Sequence, residues 1–307
     1  MTRSGTDPRD PAATKAAPYA VAPAGYRLPS GLRLGPVRLQ VADLGRSIGY
    51  YERVLGLRAL ESTPGRVTLT APSDDTPLVQ LNELRGATPV PRRGKLGLYH
   101  FALLLPDRAS LGRFVAHLGA LGERAGSADH LVSEALYLTD PDGLGIEVYA
   151  DRPRSSWRIA GGALAMAVDP LDLDDLVRAA DGQSWTGAPP GTCMGHVHLY
   201  VGDLEGAAAF YHAGLGLDRI VLNLPGALFL SAGEYHHHLG TNIWAAGAPP
   251  AGEGDARLLE WTLQLPERSD VEAAGRSLAA SGYLVRHDSG GALATDPWGT
   301  NVRLAAR

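Results

Sequence analysis

Cysteine is nearly absent: the chain of 307 residues contains one, Cys193. A lone thiol can neither close an internal disulfide nor build a thiolate metal cluster, so a reducing, cytoplasmic setting is the simplest expectation. No apolar run approaches the roughly 18 residues that a membrane-spanning helix needs, so no membrane partner is expected. Basic residues are not in excess either. With 28 Lys and Arg against 33 Asp and Glu, the formal charge of −5 supplies no field for nucleic acid. The first 28 residues lack the apolar segment of a secretory signal, and their Ala, Pro and Thr content makes residues 1–30 read as a flexible arm. What remains is ordinary globular composition, 45% hydrophobic and 20% charged, in a chain long enough for two full cores.

What the chain has in plenty is repetition. Gly35-Pro36-Val37-Arg38-Leu39-Gln40-Val41-Ala42-Asp43-Leu44 returns as Gly195-His196-Val197-His198-Leu199-Tyr200-Val201-Gly202-Asp203-Leu204. Looser copies begin at Tyr99-His100-Phe101 and Leu259-Glu260-Trp261. One slot therefore holds Pro36, His100, His196 and Glu260, spaced by 64 residues within each half and by 160 between halves. Such a period marks duplicated supersecondary units.

Each copy opens with an alternating strand, and the clear copies then pass an N-cap Asp into a short helix. After Asp43 come Leu44, Ile48, Tyr51 and Leu55, and after Asp203 come Leu204, Ala208, Tyr211 and Leu215; each set falls on one helical stripe. Two copies close with Asp140-Pro141-Asp142-Gly143 before Ile146-Glu147-Val148-Tyr149 and with Asp296-Pro297-Trp298-Gly299 before Val302-Arg303-Leu304, which is turn chemistry leading into a strand. The pattern predicts an α+β fold of four βαβββ modules arranged as two paired-module units. Residues 31–152 form a first domain (modules 33–90 and 95–152), 153–190 a linker with a helix near 169–180, and 191–307 a second domain (modules 193–248 and 256–306). A single module leaves its sheet half covered, so modules must pair.

At Gly97-Leu98-Tyr99-His100-Phe101-Ala102, Ser133 to Leu138 running into the Asp-Pro-Asp-Gly turn, Gly195-His196-Val197-His198 and Tyr235-His236-His237-His238, the chain resembles the vicinal oxygen chelate superfamily. This is the glyoxalase, bleomycin-resistance and extradiol dioxygenase group, and within it the chain looks most like the four-module catechol 2,3-dioxygenase-like branch. The resemblance implies ligands from the first strand of one module and from the first and last strands of its partner. Pairing the second module with the third supplies His100, Glu147 and His196, the two-imidazole, one-carboxylate set that suits non-haem Fe(II), with Mn(II) possible. The first and fourth modules offer Pro36, Gln80, Glu260 and Arg303 in the matching places. Pairing first with second and third with fourth leaves no full set, so the expected site spans the linker. Taken singly, each His also reads as a core or surface residue. Glu147, however, stands in an apolar strand where an unpaired carboxylate is costly, and His198 shares the face of His196 and is a rival ligand.

Other roles follow from the resemblance and from strand parity. Tyr137, ten positions before Glu147, is carried over as a catalytic residue touching substrate oxygens. Tyr149 shares the face of Glu147 and His130 lies on the loop before Ser133; both are candidate substrate contacts. Of the histidine run, one alignment turns His236 and His238 inward together with Asn242, and another turns His237 inward. His237 and His238 are therefore candidates for acid-base catalysis, and His236 and Asn242 for substrate binding. Ordinary packing is the alternative for the two tyrosines, an exposed loop position for His130, and a polar edge strand with solvated imidazoles for the histidine run. The reading is a cytoplasmic Fe(II)-dependent extradiol dioxygenase taking a small catechol-type diol and O2, with homo-oligomerisation open. Its rivals are a metal-free binder of aromatic drugs and a glyoxalase-like isomerase or lyase.

Overall fold

The structure, a computed structural model, describes residues 19–220 and 224–307. Each repeat folds as one βαβββ module. Its opening strand runs parallel to its closing strand, and the two intervening strands form an antiparallel flank: Arg33–Val41 pairs with Val79–Glu83, Gly97–Leu104 with Gly145–Asp151, Cys193–Tyr200 with Leu239–Asn242, and Arg257–Leu265 with Asn301–Ala306. The predicted caps form as well. Asp43 and Asp203 accept the backbone N–H of Arg46 and Gly206 at the starts of helices Leu44–Arg53 and Leu204–Ala207, and the second helix widens into a π-helix over Ala208–Gly214.

The modules pair in nested fashion. Among the described residues, one nine-stranded sheet joins the second and third modules through antiparallel pairing of Gly97–Leu104 with Cys193–Tyr200. An eight-stranded sheet joins the first and fourth through Arg33–Val41 and Arg257–Leu265. Both sheets therefore cross the boundary between residues 31–152 and 191–307. Alternation does the rest. Phe101, Leu103, Val197 and Leu199 enter a continuous core with Val37, Leu39, Trp261 and Leu263 of the other sheet, so His100, His196 and His198 are turned to the opposite, concave face.

The arm reading for residues 1–18 lies outside the described residues. Residues 19–30, which composition places in the same arm, are instead held in place. Ala20–Val21 pairs with Arg219–Ile220, the Arg27 guanidinium makes two hydrogen bonds to Asp218, and Tyr19 and Leu28 are buried. Each such buried side chain contributes roughly 1.5–3 kcal/mol, which offsets much of the cost of ordering a short segment, roughly 1–2 kcal/mol per residue. The linker holds a short hairpin, Ile159–Ala160 with Ala163–Leu164, and a helix, Leu173–Arg178, shorter than the spacing suggested.

Candidate metal centre and aromatic cavity

His100 Nε2 and His196 Nε2 lie 3.0 and 3.2 Å from Glu147 Oε2 and 3.3 Å from each other. The three come from the opening strands of modules two and three and the closing strand of module two, and all are buried. The triangle has a physical meaning. Three donors about 2.1 Å from a common ion and at right angles lie ~3 Å apart, and two imidazole lone pairs so close repel unless a cation or proton sits between them. Burial favours the neutral form of His100 and pushes its pKa down. Burial alone would raise the Glu147 carboxyl, but His196 and His100 outweigh it and hold it well below its usual range. A carboxylate oxygen and two imidazole nitrogens can hold a divalent metal. Among the described residues the Nδ1 atoms of both rings are buried without a hydrogen-bond partner, so the rings are oriented by packing: His100 against Tyr99 and Tyr137, His196 against Tyr149 and His237.

The triad forms the floor of a cavity of about 360 Å³. Its walls are largely apolar and aromatic, with Tyr99, Phe229 and Trp244 on one side and Met166, Ala167 and Val168 of the linker on another. Tyr137 pairs directly with Glu147 across the strands. Its hydroxyl donates to His130 Nε2 at 2.6 Å, and His130 Nδ1 donates to the Ala167 carbonyl at 2.7 Å, so the linker anchors both. Leu131, next to His130, adopts a positive φ of 67° and donates its N–H to Asp129, itself gripped by Arg152. Non-glycine residues rarely take that conformation without compensating contacts. Burial and the nearby Glu147 charge push the Tyr137 phenol well above its ordinary pKa, so it stays a donor.

The other candidates divide. His237 lines the cavity, whereas His236 is buried behind it with Nε2 2.9 Å from Asp151. His238 points elsewhere: its Nδ1 sits 3.0 Å from Ser231 Oγ and accepts the Ala232 N–H, and burial drives its pKa to about 3. The inward pairing of His236 with His238 fails because residues 235–238 precede the strand Leu239–Asn242 as irregular backbone, where alternation does not apply. Tyr149 shares the face of Glu147 but is not part of the cavity wall. It lies beneath His196, with its hydroxyl 2.6 Å from that of Tyr235. Gly195 makes this possible, since a Cβ there would stand 2.0 Å from the Tyr149 hydroxyl. Asn242 likewise does not line the cavity. Its Oδ1 accepts the Trp244 N–H, which turns its Nδ2 toward His198 Nε2 at 3.0 Å. His198 is thus a wall residue whose Nε2 is an acceptor, and burial pushes its pKa well down; it does not join the triad.

Sequence reasoning passed over Tyr99, Phe229 and Met166 as cavity walls and assigned Trp244 to packing. It also missed Asp151, which strand parity with Glu147 could have flagged.

The chain belongs to the Glyoxalase/Bleomycin resistance protein/Dioxygenase superfamily, whose pattern it matches over residues 33–148 and 194–304. It is 42% identical over 268 residues to a catechol-2,3-dioxygenase of Bacillus subtilis (strain 168), covering 86% of this chain and 93% of the relative. Among solved structures, a putative dioxygenase from Bacillus subtilis aligns with a TM-score of 0.61 at 16% identity, over 89% of this chain and 84% of that one. Glyoxalase I from Zea mays aligns at 0.54 and 18%, over 90% and 92%. These two likenesses speak for the fold.

Proposed function

We propose that this protein is an Fe(II)-dependent extradiol dioxygenase that opens the ring of a catechol-type diol with O2. The observation that carries the reading is the convergence of His100, Glu147 and His196 within 3.3 Å at the floor of an aromatic-walled cavity. The relative named a catechol-2,3-dioxygenase supports it. His100, His196 and Glu147 would hold the metal, and Fe(II) there supplies the chelation of vicinal oxygens and the redox partnership with O2 that an organic ring lacks; Mn(II) suits the same donors.

The remaining work falls to the chain's own groups. Tyr99, Phe229 and Trp244 pack the ring faces and exclude water, which strengthens every polar contact inside. The Tyr137 hydroxyl, placed by His130, turns its one hydrogen from His130 Nε2 to a substrate oxygen. His237, neutral through burial and the neighbouring imidazoles, takes the proton of a diol hydroxyl and returns it to the ring-opened product. A cytoplasmic setting is the reading that suits a single cysteine. Among the described residues no helix is long and apolar enough to cross a membrane.

The test is anaerobic purification, loading with Fe(II), metal analysis, then oxygen uptake with catechol. Near one metal per chain and a yellow ring-cleavage product are expected. Metal retention without oxygen uptake on any of a panel of diols would favour an isomerase or lyase, and failure to bind metal would favour a binding protein.

A further inference from the structure

We infer that Asp151 and His236 are positioning residues that fix the tautomer of His237 through a buried chain of two hydrogen bonds, presenting the lone pair of His237 Nε2 to the cavity. The inference rests on the reading of His237 as the acid-base group and adds what sets its proton inventory. The chain starts at a carboxylate. Asp151 Oδ1 lies 2.9 Å from His236 Nε2 and also accepts the Tyr235 hydroxyl at 3.3 Å. An ionised carboxylate only accepts, so His236 Nε2 carries its ring hydrogen. In a neutral imidazole the other nitrogen is then an acceptor, and His236 Nδ1 lies 2.7 Å from His237 Nδ1. A contact that short between two ring nitrogens needs one hydrogen between them; with His236 singly protonated it comes from His237, whereas a doubly protonated His236 would donate it and leave the His237 hydrogen on Nε2, the outcome that overturns the inference. His237 Nε2 is left bare, on the ring that lines the cavity.

The surroundings hold this arrangement. His236 is fully buried and Asp151 is in contact with Tyr235, whose ring lies 4.0 Å from that of His236. The Tyr235 hydroxyl is further tied to Tyr149 at 2.6 Å. No water-accessible path is needed to set the tautomer, since which nitrogen carries the proton follows from the bond made by the other. The arrangement does two things for proton transfer. When a diol O–H bond breaks and its proton joins Nε2, the proton meets a lone pair rather than an N–H. The positive charge then arriving on His237 lies one imidazole away from the Asp151 carboxylate, as in hydrolytic triads where an acid orients a histidine. His238, next along the chain, is excluded from this role because Ser231 and Ala232 hold its Nδ1.

The experiment combines two readouts on the full-length protein. Nitrogen-15 histidine spectra without paramagnetic metal, assigned with His236→Gln and His237→Gln, should place the ring hydrogen of His237 on Nδ1 and that of His236 on Nε2. Asp151→Asn, whose amide can donate to His236 and reverse it, should lower kcat by about tenfold or more, with KM within about twofold and metal content unchanged; Asp151→Glu should recover part of the loss. A ring hydrogen on Nε2 of His237, Asp151→Asn turnover within about twofold of the parent, or loss of metal in step with turnover would each overturn the inference. If Asp151→Asn does not fold, the spectrum of the parent decides. Absence of oxygen uptake on every diol would sink the dioxygenase reading while leaving the spectroscopic result to judge the hydrogen-bond chain.

Discussion

Glu260 and Arg303 form a two-pronged ion pair, Nε to Oε1 at 2.8 Å and Nη2 to Oε2 at 3.1 Å, in the strand positions that His100 and Glu147 occupy in the other sheet. The registers match: Thr262 pairs with Arg303 as Ala102 pairs with Glu147. Arg38 adds a further contact to Glu260 at 3.2 Å. Where one sheet gathers a carboxylate and two imidazoles, its counterpart places arginine cations on its own carboxylate.

Metal analysis of four variants checks this division. His100→Ala, His196→Ala and Glu147→Ala should each weaken metal binding by more than about 100-fold, because even outer hydrogen-bond partners of a metal ligand are worth 10–100-fold. Glu260→Gln should retain the metal fully. Equal loss in all four would mean that the eight-stranded sheet takes part.

Tyr137→Phe removes the hydroxyl and with it the hydrogen bond to His130, while the ring keeps its packing. A hydrogen bond to a charged oxygen is worth about 1.5–3 kcal/mol, so kcat/KM for a diol should fall by roughly 10–100-fold with metal content unaltered. An unchanged kcat/KM would show that Tyr137 only packs.

Gly195→Ala places a methyl on the Tyr149 hydroxyl. Neither group can step aside easily, since Tyr149 is fully buried and tied to Tyr235, and overpacking of this sort costs about 1–3 kcal/mol. A lower Tm and weaker metal binding through the adjacent His196 are expected. Gly119→Ala, in an open helical position, should raise stability by about 0.5–1 kcal/mol and serves as the control.

Asp140 sets a pH dependence of stability. Burial lifts its carboxyl from 3.8 to about 7, against the hydrogen bonds it receives from the Leu144 and Asp142 N–H groups and from Tyr51. The unfolded chain releases this proton near pH 4 and the folded chain near pH 7, so between them the folded state binds more protons. The stabilisation is therefore complete below about pH 4 and is lost as pH rises through about 7. Thermal melts of Asp140→Asn should lack this decline, with the difference from the parent growing between about pH 4 and 7 and constant above that. Parallel melting curves would refute the assignment.

Much of this was legible in the sequence, for a reason that also marks its limits. A repeated slot records which residues are equivalent, and parity along a regular strand records which way they face; these two facts lead to four modules, while the nested pairing seen in both sheets was implied by the ligand positions of the superfamily the chain resembles. Parity fails where the backbone is irregular. The run 236–238 lies ahead of its strand, so its three imidazoles take three directions, and a bulge beside Gly195 lets Tyr149 slide under His196 instead of lining the cavity. Composition failed for residues 19–30, because a few buried anchors outweigh an average of small and polar side chains. The cavity walls from Met166 to Val168 were hidden because linker segments carry no period at all.

The crossing of both sheets between halves bears on how the protein is born. A ribosome that has released only the first half has delivered Glu147 and His100 but only one of the two neighbours of each central strand, leaving two open edges exposed until the third and fourth modules emerge. Cutting the chain within the linker should likewise yield fragments that are sticky alone and productive only when mixed.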